Sequence, residues 1–195
     1  GYNNYYQLGD GTSTQRNNWI RPQKITNQSG QGTGTLENIV WISPQEHDTS
    51  GPAINVLTTD GKQWAWGYNN SYMLGGGSAV AIPPTYMPGN STAADGLKLT
   101  DVIMAVETGG HTTINVKQCS RKFGYVGHYV NGSMGSGFTG DSRTTVYSYT
   151  TGVVNICGAA TAPVTKAELK KCPTATVDLS TALLSTPPTN TTVEW

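Results

Sequence analysis

Charge is what this chain has least of: 12 Lys+Arg and 12 Asp+Glu in 195 residues, for a formal net charge of zero. A phosphate backbone is held by a basic field, and none is present, so nucleic acid is excluded as an expected partner. No apolar run approaches the roughly 18–20 residues that carry a helix across a bilayer, so no membrane insertion is expected of this segment. Helix signals are nearly missing too; the single one is a capping-box spacing, Thr165 with Glu168, in "TKAELKK". The three histidines, His47, His111 and His128, are scattered, and no cluster has metal-ligand spacing. No nucleophile, base and orienting group are brought together by any motif. The glycine-rich phrases lack the lysine-serine ending of a phosphate cradle. We therefore expect no catalytic residue, no metal and no cofactor.

What is abundant is glycine, 24 residues, in a text of Thr, Ser and Asn. That is the composition of a turn-rich protein of short strands. The phrase "GYNNYYQLGDG" at Gly1 returns as "GYNNSYMLGGG" at Gly67 and, weakly, after Gly127. Aligning Gly1, Gly67 and Gly127 superposes Leu8, Leu74 and Met134, then Gly9, Gly75 and Gly135, then Gly11, Gly77 and Gly137. Upstream, "INV" at Ile54–Val56 recurs at Ile114–Val116, and His47 and His111 precede the two copies at comparable places.

One unit reads as a hairpin plus a loop. "AINVLTTDGKQWAWG" is an alternating run, an Asp60-Gly61 turn, and a second run with Trp64 and Trp66 on one face. Asp-Gly predicts a type I′ turn. The glycine phrase then sends a Leu or Met plug inward between flexible glycines, and the proline-marked segments "RPQKI" and "IPPTYMPG" suit edge strands. Such units, repeated, predict an all-β partial propeller of about two and a half to three blades of four-stranded antiparallel sheet over residues 1–152. Gly1 is expected to follow a hairpin like "LTTDGKQWAW", so the chain reads as an excerpt.

"DGKQWAWGYNNSYMLGGGS", "GYNNYYQLGDGTST" and "GGHTTINV" together resemble the repeat of the regulator-of-chromosome-condensation family. The resemblance implies propeller blades that close a ring of about seven. In the third copy Ser120 and Arg121 replace Asp-Gly and Val126 replaces Trp, so its hairpin is less firmly specified; His128 is expected in an exposed loop. Residues 153–195, with "APVT", "TATVDL" and "TTVEW", read as a linker and the start of an immunoglobulin-like β-sandwich repeat. They resemble the joints of such repeats in very large surface adhesins of Bacteroidota exported by the type IX route. Cys157 and Cys172 are either a disulfide closing that loop or two buried thiols, and Cys119 is left over.

For function, the resemblances imply a non-enzymatic structural or adhesive segment of a large secreted, extracellular cell-surface protein. Its expected partners are copies of itself or other parts of the same long chain, with a surface glycan or protein as a further target. Tyr2, Tyr5, Tyr6, Tyr68 and Tyr72 are the candidate contact residues of the loop face. The competing expectation is a secreted propeller that captures one protein partner, as inhibitor-like members of this repeat family do. The nuclear exchange role of the family's namesake is disfavoured by the absence of a basic tail.

Overall fold

A computed structural model describes residues 1–45, 52–76, 78–87, 103–118, 120–133, 137 and 139–153. The chain divides into two compact units, Gly1–Val154 and Asn155–Trp195. The second unit lies outside the described residues, and with it the expected β-sandwich, the Thr165 capping box, Cys157 and Cys172. His47, Gly77, Cys119, Met134 and Gly135 lie outside them as well.

Unit 1 is built of strands. They are β1 (Gln23–Lys24), β2 (Gly34–Thr35), β3 (Ile39–Pro44), β4 (Ala53–Thr58), β5 (Gln63–Gly67), β6 (Ile82–Tyr86), β7 (Ile103–Gly109), β8 (Thr112–Lys117), β9 (Lys122–Val130) and β10 (Asp141–Val153). Gln28–Gly30 forms a 3₁₀ turn. Two antiparallel four-stranded meanders, β3-β4-β5-β6 and β7-β8-β9-β10, follow one another, with the short β1-β2 pair before them. This is an all-β partial propeller: two full blades and a partial one. In the partial blade Gly1 and Arg16 exchange backbone hydrogen bonds, as Gly67 and Ile82 face one another in the next.

The first full blade is buried on both faces. Trp64 and Trp66, each 2% exposed, pack with Val56, Ile54, Tyr86 and Leu36 on one side. Ala53 and Ala65 pack with Met73, Leu74 and Met87 on the other. Trp64 and Trp66 therefore share a face, as their spacing predicts, and Pro83 and Pro84 sit in β6, an edge strand where no ladder donor is lost.

The Asp60-Gly61 turn is not type I′. Gly61 has φ 76 and Asp60 is absent from the left-handed region. Thr58 N–H donates to Lys62 O at 3.0 Å and Gly61 N–H to Thr58 O at 2.9 Å, so Thr59-Asp60-Gly61 is a three-residue loop ending in a left-handed glycine bulge. Asp60 Oδ1 accepts the Thr58 hydroxyl at 2.6 Å, tying the loop to its base. The third-copy hairpin forms despite its weaker signal, with Arg121 at φ 54.

That hairpin differs in length, and the difference reorganises the fold. Leu57 faces Gln63 in the first blade with five residues between them; Val116 faces Phe123 in the second with six. A one-residue slip exchanges the faces of a strand. The two "INV" tracts are therefore not in equivalent places: Asn55 points forward to the second sheet, Asn115 backward to the first, and they meet in one interface. There Asn55 Nδ2 donates to Thr108 Oγ1 (2.6 Å) and Thr113 Oγ1 (3.1 Å). Gln63 Nε2 donates to Asn55 Oδ1 and to Tyr147 Oη, both at 2.7 Å. Asn115 Nδ2 donates to Gln63 Oε1 at 3.0 Å. Asn55, Gln63 and Thr113 are fully buried, so each bond replaces one to water that burial removed. At the rim, Ser43 Oγ donates to Glu107 Oε1 at 3.0 Å and accepts Thr108 N–H at 2.7 Å.

The loss of a tryptophan in the second blade is also compensated. Gly9 of the first loop lies against Trp66, whose indole N–H donates to Gln7 O at 3.2 Å. Gly75 of the second loop lies instead against Tyr147 and Val126. A register irregularity between Thr144 and Ser148 in β10 turns Tyr147 inward, where it is 1% exposed and fills the volume that Val126 leaves.

Gly67 (φ 106) and Gly127 (φ 103) require glycine twice over: a Cβ would overlap Pro52 O in one and His111 O in the other, and at Gly127 would stand 2.9 Å from Met73 Cα. Gly127→Ala is expected to cost roughly 2–5 kcal/mol in denaturant unfolding. Gly76→Ala, at φ 86 but with nothing within 4 Å, should cost only about 1 kcal/mol. Equal losses at the two positions would contradict this packing.

Candidate functional site

The loop face is organised by two asparagines that the sequence does not single out. Asn3 and Asn69 are both 0% exposed. Asn3 Oδ1 accepts Leu8 N–H at 2.9 Å and Asn69 Oδ1 accepts Leu74 N–H at 2.8 Å. Asn3 Nδ2 donates to Thr12 O (2.8 Å) and Thr14 O (3.0 Å), and Asn69 Nδ2 to Ser78 O (2.6 Å). Each asparagine thus closes its loop from inside, satisfying backbone groups that a ladder does not reach. The signal was their identical place in both "GYNN" phrases; the third copy has Tyr129 there and continues β9 as a strand instead.

The candidate tyrosines divide into two sets. Tyr2, Tyr5 and Tyr68 form an edge-to-face row across the two loops, with centroids 6.4 and 5.2 Å apart. Tyr2 is half exposed, and Tyr5 and Tyr68 are half-buried. Tyr6 (φ 63) and Tyr72 (φ 60) occupy the left-handed position of matching turns and stand outside that row. Their N–H groups donate to Asn3 O and Asn69 O, and their carbonyls accept Gly9 and Gly75 N–H. Leu74 is fully buried and Leu8 half-buried. Gly1, Gly9, Gly11, Gly67, Gly75, Gly127 and Gly137 are described; all but Gly1 have positive φ.

His128 is not in an exposed loop. It lies in β9, opposite Arg143 of β10, with its side chain 23% exposed and Nε2 2.8 Å from Asp141 Oδ1. The third glycine phrase has become the β9–β10 hairpin, which draws His128 into the ladder. Its ring lies 6.0 Å from that of His111. Among the described residues no group of three or more His, Cys, Asp or Glu side chains is placed to hold a metal, and no helix is long and apolar enough to cross a membrane.

Asp10 is the electrostatic anchor of the first loop. Burial pushes its pKa up, but the Thr12 N–H, Arg16, the Thr12 hydroxyl and Asn3 together hold it below 3.8. Arg16 closes on it at 2.6 Å. In the inter-sheet core, burial raises Tyr147 far above a free phenol, outweighing the Gln63 hydrogen bond; Tyr147 is a neutral structural hydroxyl.

A further surface was not singled out from sequence. β3 carries Ile39, Val40, Trp41 and Ile42 at 38–57% exposure along an edge strand. Val40 and Trp41 face Met104 and Val106 of β7 across an apolar cleft of about 410 Å³. The unbroken run "IVWI" reads equally as a strand buried on both faces, which hid its exposure.

No family model matches this sequence. Among solved structures, human WBSCR16 is similar with a TM-score of 0.48 and 14% identity, over 76% of this chain and 33% of that one. Yeast RCC1 (Prp20), in a complex with Kap60, gives 0.40 and 15% over 63% of this chain and 28% of that one. Prp20p of Saccharomyces cerevisiae, studied for its binding to Gsp1p and histones, gives 0.43 and 21% over 66% and 30%. The chain thus spans about a third of the length of these proteins.

Because the folded Asp10 pKa is depressed, its contribution is present above the unfolded value and is lost as pH falls below 3.8 through the folded pKa. Asp10→Asn should cost about 1 kcal/mol at neutral pH and nothing once wild-type Asp10 is protonated. Urea midpoints at neutral and strongly acidic pH check this; a cost that persists in acid would contradict it. Asn69→Ala, which orphans Leu74 N–H and Ser78 O, should cost roughly 2–3 kcal/mol by the same measurement.

Proposed function

We propose that this chain is a non-enzymatic structural and adhesive segment of a large secreted surface protein, working through protein contacts made by stacked blades. The observation that carries the reading is a sheet face on which, among the described residues, no further sheet is laid. The forward face of the first blade is closed by the second through the Asn55–Gln63 network. The forward face of the second blade carries Ile114, Val116, Phe123 and Tyr125, paired across β8 and β9, with the first three half-buried. Phe123, Tyr125 and Tyr129 form a continuous ring row along β9, with centroids 6.5 and 6.1 Å apart. A sheet face of this composition is stabilised by another sheet laid on it. Contacts between blades, within a longer chain or between copies, meet that need. The secreted, bacterial, type IX context rests on the resemblance of residues 153–195 to adhesin joints and on the low charge of the chain.

The alternative, capture of one protein on the loop face, is favoured by the Tyr2–Tyr5–Tyr68 row, which offers rigid aromatic area at low entropic cost.

Native mass spectrometry and sedimentation of the 195-residue chain separate the readings. Stacking predicts association at micromolar concentration that Phe123→Asp weakens at least tenfold, about 1.4 kcal/mol, while the far-ultraviolet circular dichroism is kept. A monomer at every concentration, unaltered by Phe123→Asp, would contradict it.

A further inference from the structure

We infer that the cleft between β3 and β7 is a binding site for a small organic amine, an apolar body carrying a protonated ammonium group. Its volume is about 410 Å³, within the range of small-molecule sites, and Val40, Trp41, Leu57, Met104, Val106 and Glu107 line it together with part of β8. The floor is fixed. Leu57 and Val106 are buried and pack with Ile103, while Trp41, half exposed, pairs with Leu57 across the β3–β4 ladder. Trp41 and Ser43 stand two residues apart in an unbroken stretch of register, so both side chains leave β3 on one face. From that face Ser43 Oγ donates to Glu107 Oε1 at 3.0 Å while accepting Thr108 N–H at 2.7 Å. The indole and the carboxylate thus line the same cleft from different strands, and Ser43 holds the carboxylate in place.

The charge of the cleft selects the ligand. Glu107 is the one ionisable side chain among its described lining residues. The bond from Ser43 leaves most of a carboxylate's acceptor sites open, and among the described residues no Lys, Arg or His pairs with it. A neutral apolar group laid in the cleft would cover that charge without compensating it, and an anion would be repelled. A cation answers both kinds of surface. Its N–H groups donate to Glu107, its charge sits against the ring face of Trp41, and its apolar body covers Leu57 and Val106. Met104, exposed and unbranched, can adjust to the shape of that body.

The test titrates the isotope-labelled full chain with phenethylamine, with its neutral counterpart phenethyl alcohol and with the anion hydrocinnamate, following backbone amide shifts by nuclear magnetic resonance at neutral pH. The amine should bind with a Kd of about 1 mM or tighter, shifting the amides of Trp41, Leu57, Val106 and Glu107. The alcohol should bind roughly fivefold more weakly and hydrocinnamate not at all. Glu107→Gln, which keeps an acceptor for Ser43, should erase the preference for amine over alcohol. Trp41→Ala should weaken the amine about tenfold, with Trp41→Phe between it and the wild type. Thermal midpoints should not move, since both side chains are exposed. Shifts that map elsewhere, an amine that binds no tighter than the alcohol, or a preference that survives Glu107→Gln would overturn the proposal. Blade stacking is read from particle mass and this site from local shifts, so either inference can fail without the other.

Discussion

A chain of buried amides joins the two blades, and the rest of the structure depends on it. Gln63 stands at its centre, accepting from Asn115 and donating to Asn55 and Tyr147, while Asn55 reaches on to Thr108 and Thr113. Apolar sheets slide on one another with little penalty. Buried amides do not, because each shift strands a donor or acceptor away from water. The network thus fixes how the second blade sits on the first. Asn115 Oδ1, by contrast, is buried without a hydrogen-bond partner; Gly124, which faces Asn115 in the ladder, brings no side chain to meet it.

The same two faces explain how a degenerate repeat still folds. The second blade has lost its tryptophan, its Asp-Gly turn and its loop asparagine. Tyr147 replaces the first from a neighbouring strand, a longer hairpin replaces the second, and a β9–β10 hairpin replaces the loop that Asn3 and Asn69 close. Each substitution leaves the sheet paired and changes the route of the chain. Conserving volume while changing side chains is the tolerated way to alter a core.

Much of this was legible in residue order. The glycine phrases, the paired tryptophans and the proline edge pointed to four-stranded antiparallel blades, since those signals are local. What escaped was non-local. The single extra residue between Val116 and Phe123 reverses the face of "INV" at Ile114, and only strand pairing reveals it. Asn3 and Asn69 carry the composition of any surface loop; their burial follows from the backbone folding around them. His128 looked like a loop residue because its phrase retained glycines while losing the asparagine that makes the loop. The exposure of β3 depends on what lies beside it, which no stretch of β3 records.

The functional reading inherits this physics: stacked blades need further surface, and the loops present tyrosines and amides on a rigid base. Native-state hydrogen exchange tests the core claim most directly, because it reads whether the blades open together. The account predicts that the slowest amides of β4, β5, β8 and β9 share one opening free energy equal to that of global unfolding. Two separate opening energies, one for each sheet, would contradict it.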